Sequence, residues 1–116
     1  MDCKDMAMFS ARILDNKKAR DIDVINIGTK AAFADYMVLA SGGSERQIET
    51  LADELEEQFL KEGILVRNIE GKKNSGWILM DYGDIIVNLL TVDMREKYNI
   101  EKVWGDCEFL ELEDVE

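Results

Sequence analysis

The residues best able to do chemistry lie close together in one stretch of the chain. Trp77 stands one strand-length before a tight turn that holds two carboxylates, Asp81 and Asp84, and the phenol of Tyr82. Gly83 can supply the positive φ that such a turn uses. A tryptophan beside two carboxylates could form a contact surface, and a core tryptophan beside an ordinary acidic turn is the alternative. The stretch alone does not decide between them.

Catalytic chemistry has little support in this sequence. The chain has no histidine, which excludes a Cys-His pair, and neither Cys3 nor Cys107 has a CxxC neighbour. The two cysteines lie near opposite ends of the chain, and we expect free thiols in a reducing cytosol rather than one disulfide.

One loop resembles a phosphate or nucleotide site. Gly43 and Ser44 follow a predicted strand, and a Gly-Ser pair in this place opens the active site of nucleotidyltransferases, whose carboxylates hold two metal ions. Here Asp21 and Asp23 precede the loop, and no Asp-x-Asp pair follows it. We therefore expect a capped helix after a tight turn, with no catalytic residue, no metal site and no cofactor.

Composition indicates one soluble globular domain over residues 1–116, with 108–116 as an acidic tail that either adds an edge strand or frays. The chain of 116 residues is 47% hydrophobic and 34% charged. Its apolar runs are far shorter than the ~20 residues that span a bilayer. No cationic start followed by an apolar segment is present, so we expect a cytoplasmic protein without membrane contact.

Net charge narrows the class of partner. The chain carries 14 basic and 25 acidic residues, for a formal charge of −11. Nucleic-acid binders neutralise phosphates with clustered Lys and Arg, which this chain lacks as a whole. A field of this sign repels RNA and attracts basic protein surfaces.

The elements that position the central stretch follow from periodicity and turn residues. The clearest helix opens at a capping box, Ser44 to Gln47, and presents an apolar stripe of Ile48, Leu51, Leu55 and Phe59. The order is α-β-β-α-β-β-β-α, which predicts an α/β domain with a mixed five-stranded sheet flanked by helices. The predicted elements are a helix from Asp2 or Asp5 that ends near Asn16 to Arg20, strands over 22–27 and 35–41, a helix from Ser44 to Gly63, a strand over 64–70, a hairpin of 77–80 and 85–90, and a short helix from Asp93 through Tyr98.

Several motifs together resemble the ribosomal silencing factor family, also called the Iojap-like proteins. They stand in the family's order and run from about Arg12 to Cys107; the run from Gly76 to Asp84 with the later Trp104-Gly-Asp106 is the most specific part. The motifs are Ala34-Asp-Tyr-Met-Val-Leu-Ala-Ser-Gly42, Ser44-Glu-Arg-Gln47, Glu70-Gly71, Gly76-Trp-Ile-Leu-Met-Asp-Tyr-Gly-Asp84 and Trp104-Gly-Asp-Cys107.

The resemblance implies a translation repressor that is not an enzyme. Such a protein binds the large ribosomal subunit on its intersubunit face, contacts large-subunit ribosomal protein fourteen and blocks association with the small subunit. The implied fold is nucleotidyltransferase-like without catalytic residues, and family members also form homodimers. A degenerate nucleotidyltransferase-like protein that still binds nucleotide near Gly43 and Ser44 is the alternative.

The predicted contact patch combines both lines of reasoning. Trp77, Tyr82 and Tyr98 would be aromatic anchors, and Asp81 and Asp84 would select Lys or Arg on a basic ribosomal protein, with little or no nucleic-acid contact.

Three further positions qualify this patch. Trp104 is expected to be buried by its short helix. Asn88 and Lys97 depart from the family pattern, which usually has His at the first position and an aromatic residue at the second. Asn88 can still form a hydrogen bond but cannot titrate near neutral pH.

Overall fold

A mixed sheet of six strands forms the centre of the molecule within the residues that the computed structural model describes, 1–71 and 76–111. The strand order is β3-β4-β5-β2-β1-β6. β2 and β5 are parallel, and the other neighbours are antiparallel. The strands are β1 (Arg20–Asn26), β2 (Tyr36–Gly42), β3 (Asn68–Glu70), β4 (Trp77–Asp81), β5 (Ile85–Thr91) and β6 (Glu108–Phe109).

Four helices in the same described residues accompany the sheet. They are α1 (Cys3–Asn16), α2 (Glu45–Lys61), α3 (Val92–Tyr98) and α4 (Ile100–Val103). No helix in this part of the chain combines the length and apolar character needed to cross a membrane.

Alternation along the strands separates two apolar layers. On one face α1 and α2 pack against Val38, Val87 and Leu89 in the larger core. On the opposite face Met37, Leu39, Ile86 and Leu90 form a second, smaller core. Residues of α3, α4 and the 28–35 connection cover this second face only in part, and that incomplete cover determines where the candidate site lies.

The predicted hairpin is confirmed, and β5 lies inside the sheet between β4 and β2. Asp81 Oδ1 accepts a hydrogen bond from the Gly83 amide at 2.7 Å, and Gly83 has φ of +89°. The turn therefore uses both its acidic residue and its glycine in the roles that turn chemistry predicts.

The capping box of α2 is also confirmed. Ser44 Oγ accepts from the Gln47 amide at 3.1 Å, and Gln47 Oε1 accepts from the Gly43 amide at 2.6 Å. The helix ends at Lys61, two residues before Gly63, whose φ is +77°.

The five-stranded prediction is wrong by one strand. Glu108 and Phe109 pair with Asn26 and Ile25 as the edge strand β6, so the segment predicted as an acidic tail begins as part of the sheet. Its end, 112–116, lies outside the described residues.

The strand predicted over 64–70 is wrong at its start, because only Asn68–Glu70 is a strand. The Ile64 amide donates to the Phe59 carbonyl at 2.9 Å and completes the end of α2 instead of pairing with β4.

The start predicted for α3 is wrong as well. Thr91, not Asp93, is the N-cap, and its Oγ1 accepts from the Met94 amide at 3.3 Å. Thr91 is also the last residue of β5, so the strand passes directly into the helix. The helix stops at Asn99, which takes the left-handed conformation with φ of +45°.

Candidate functional site

An open groove lies on the face of the sheet that α1 and α2 do not cover. Its volume is ≈ 390 Å³, and strands β2, β4 and β5 form its floor. Among the described residues that line it, all but Asn88 are apolar or aromatic. They are Phe33, Met37, Trp77, Leu79, Ile86, Asn88, Ile100, Val103 and Trp104.

Large apolar side chains at this groove are exposed to solvent. Phe33 is 60% exposed, Val103 62% and Tyr98, which contacts the groove residue Trp77, 47%. Contiguous exposed apolar surface on a small domain is typical of a site that binds another protein. The groove is therefore a candidate protein-binding surface.

Trp77 and Tyr98 come together at one end of the groove. Their ring centroids are 5.1 Å apart with an interplanar angle of 46°. Trp77 Nε1 donates a hydrogen bond to Asn88 Oδ1 at 2.8 Å, and Asn88 is only 2% exposed. The buried amide thus fixes the orientation of the indole, and Lys97 Nζ lies 5.4 Å from the centroid of the Tyr98 ring.

Tyr82 is buried, and the prediction that it belongs to the contact patch is wrong. Because side chains alternate along a strand, Trp77 and Leu79 face the groove, whereas Met80 and Tyr82 face α2. Tyr82 is 5% exposed, and its ring lies 4.4 Å from that of Phe59. Burial raises the pKa of its phenol, so the side chain stays neutral.

Asp81 and Asp84 lie at the opposite end of β4 from Trp77. Asp81 is half-buried and shares the face of Trp77, but four residues of strand place it ~13 Å away. Asp84 lies in the turn between β4 and β5 and is exposed. The structure therefore does not bring these two carboxylates together with the aromatic pair at one point.

Asp84 instead meets Cys3 and Asp35, and their ligand atoms all lie within 4.8 Å of one another. Cys3 Sγ donates to Asp35 Oδ2 at 3.2 Å, and this bond, together with burial and the charges of Asp84 and Asp35, raises the pKa of the thiol to about 11. Both Cys3 and Cys107 are free thiols, as predicted.

Sequence reasoning missed the residues at the other end of the groove. Phe33 lies in the connection between β1 and β2, and the centroid of its ring lies 6.2 Å from that of Trp104, edge to face. Trp104 was expected to be buried by its short helix, but it is only half-buried and forms part of the groove wall. A large aromatic residue in a connection between two strands was the available signal for Phe33. Met37, Leu79 and Ile86 gave none, because they read as ordinary strand core.

Comparison with known proteins identifies the family. Residues 1–116 match the family described as "Ribosomal silencing factor during starvation". This chain belongs to the ribosomal silencing factor family. Membership places it among ribosome-associated regulators of translation.

Individual ribosomal silencing factors support the assignment along the whole chain. Ribosomal silencing factor RsfS of Halalkalibacterium halodurans is 33% identical over 115 residues, covering 99% of this chain and 98% of the relative. The Bacillus subtilis protein of the same name is 34% identical over 113 residues, covering 97% and 96%. A solved Chromobacterium violaceum structure superposes with a TM-score of 0.87 at 27% identity, covering 90% of this chain and 88% of that one.

Proposed function

We propose that this protein represses translation by binding the large ribosomal subunit at large-subunit ribosomal protein fourteen, on the intersubunit face, and blocking association with the small subunit. The groove carries this proposal, because it exposes Phe33, Tyr98 and Val103 around an apolar floor in a chain of this family. Repression by occlusion needs a stable contact and no bond-making chemistry.

Trp77 and Tyr98 are the proposed anchors of the contact. Paired aromatic side chains that are fixed before binding supply contact area at little further cost in conformational entropy. Asp81, which shares the face of Trp77, and Asp84 would meet Lys or Arg on the rim of the same partner. Tyr82 has no place in this contact because it lies in the core.

The charge of the chain favours a basic protein as the surface that is recognised. At −11, the protein is repelled by the phosphates of ribosomal RNA. A body with principal extents of 33 × 32 × 27 Å, seated on the intersubunit face, would stand between the two subunits. We further propose that the protein acts in the cytoplasm and can pair as a homodimer when it is free.

Nucleotide binding at the start of α2, the alternative function, gains no support from the local hydrogen bonds. The Gly43 and Gln47 amides, which would be offered to a phosphate, donate to Gln47 Oε1 and Ser44 Oγ respectively. A likeness of the fold to nucleotidyltransferases stays a prediction.

Binding to purified ribosomal protein fourteen tests the proposal. We expect Trp77→Ala to weaken binding by 10-fold or more, since truncation of a central aromatic anchor costs about 2 kcal/mol or more. Tyr98→Ala, at an exposed side chain, should weaken binding in the same direction without disturbing the core. Leu60→Ala is the matched control, because Leu60 is a 58% exposed apolar residue on α2, across the sheet from the groove.

Circular dichroism and thermal melting would first establish that the variants are folded. If the wild-type chain does not bind, or if folded Trp77→Ala and Tyr98→Ala bind as tightly as Leu60→Ala, the proposed contact is wrong.

A further inference from the structure

Arg95 is a buried cation that joins four separate segments of the chain. It is 8% exposed and lies in α3. Its Nε donates to Glu101 Oε2 at 2.6 Å, and its Nη2 donates to Asp23 Oδ2 at 2.8 Å. Its Nη1 donates to the Asp21 carbonyl at 2.8 Å and to Ser41 Oγ at 3.1 Å. One guanidinium thus ties α3 to β1, β2 and α4.

The two helices that Arg95 links are both short. α3 has 7 residues and α4 has 4, lengths at which an isolated helix is not stable in water. No residue of α4 is fully buried, and its N-cap, Asn99, makes no side-chain capping bond. Their position therefore depends on contacts with the rest of the protein.

These two short helices form one wall of the groove. Ile100, Val103 and Trp104 line it, and Tyr98 stacks on Trp77 at its end. We propose that Arg95 is a positioning residue that holds this wall in the arrangement that the partner binds, without touching the partner itself. This inference rests on the proposed function, since it assigns the support of the same groove.

Electrostatic repulsion explains why removing the Arg95 guanidinium should displace α3 and α4 from their positions at the groove. Asp23 and Glu101 carry like charges on either side of Arg95, so the guanidinium both links α4 to β1 and offsets the repulsion between the two carboxylates. Lysine cannot replace it fully, because a single ammonium lacks the planar fork that donates in several directions at once.

The effect on binding follows from the fraction of molecules whose wall is in place. Apparent affinity falls in proportion to the population of the competent state. If loss of Arg95 leaves the wall formed in about a tenth of the molecules, binding weakens about 10-fold.

Hydrogen exchange on the free protein tests the inference without any partner. We expect Arg95→Met to speed amide exchange over 92–104 at least 10-fold while exchange in α2 is unchanged. Arg95→Lys should give an intermediate increase, and Glu101→Gln should raise exchange mainly over 100–104. Arg46→Met is the control, because Arg46 is an exposed arginine on α2, and we expect it to change neither region.

Binding of the same variants to ribosomal protein fourteen completes the test. Arg95→Met should bind about 10-fold more weakly than wild type, with Arg95→Lys between them.

The inference is overturned if Arg95→Lys and Glu101→Gln leave exchange over 92–104 unchanged. It is also overturned if exchange rises equally in α2, or if it rises only in the wall while affinity stays at the wild-type value. Failure of the wild-type chain to bind would contradict the proposed function, and the exchange data would still decide the role of Arg95.

Discussion

The hydroxyl of Tyr82 is a buried donor that has no hydrogen-bond partner among the described residues. An unsatisfied buried polar group costs free energy of folding, typically ~1–3 kcal/mol. The ring itself contributes packing, since it lies against Phe59 at the centre of the larger core. The two parts of one side chain therefore act in opposite directions on stability.

Tyr82→Phe should accordingly leave the free energy of unfolding unchanged or raise it by up to about 1 kcal/mol. Tyr82→Ala should lower it by ~3–5 kcal/mol, because it leaves a cavity. Chemical denaturation monitored by circular dichroism measures both, with Tyr98→Phe as the exposed control. A clear loss of stability in Tyr82→Phe would show that the hydroxyl is hydrogen-bonded after all.

The sequence could have separated Tyr82 from Trp77, because the two positions are five residues apart along a strand and its turn, and an odd spacing places side chains on opposite faces. The contact between Trp77 and Asn88 could not be predicted in the same way. In the β4–β5 ladder Asn88 stands opposite Leu79, and Trp77 reaches it as a diagonal neighbour. That relation depends on register, which the sequence leaves open.

At the scale of elements, α2 shows how local signals act. Two side chains cap its N-terminus: Ser44 Oγ accepts from the Gln47 amide, and Gln47 Oε1 accepts from the Gly43 amide. The helix places Leu51, Leu55 and Phe59 in the larger core, so its stability supports the whole sheet.

Ser44→Ala should lower the free energy of unfolding by about 1 kcal/mol, because one amide of the first turn loses its acceptor. Ser44→Asp keeps a capping oxygen and should stay near wild type. Thermal melting of the two variants is the measurement. Equal melting temperatures for Ser44→Ala, Ser44→Asp and wild type would show that the cap contributes nothing.

The elements that the sequence predicted well are those whose signals are local. α1, α2 and the hairpin strands each have their own periodicity, caps or turn residues. The sequence left β6 undecided, because two residues of strand exist only through pairing with β1, far away in the chain. The parallel pairing of β2 with β5 also depends on the whole sheet, and no short sequence motif predicts it.

At the scale of the whole molecule, the two faces of the sheet have different tasks. α1 and α2 seal one face into the larger core, and Glu45, Asp53 and Glu57 of α2 are exposed. The other face keeps an apolar groove with exposed aromatic residues at its edge. We propose that the overall charge serves long-range attraction to a basic partner, whereas the groove supplies the contact.

Subunit joining tests the central claim most directly. Purified large subunits would be incubated with the wild-type chain, Trp77→Ala or Leu60→Ala, small subunits added with magnesium, and association followed by light scattering and gradient sedimentation. We expect wild type and Leu60→Ala to co-sediment with the large subunit and to suppress joining in proportion to occupancy, and Trp77→Ala to do neither. Full joining on large subunits that demonstrably carry the wild-type protein would contradict repression by occlusion.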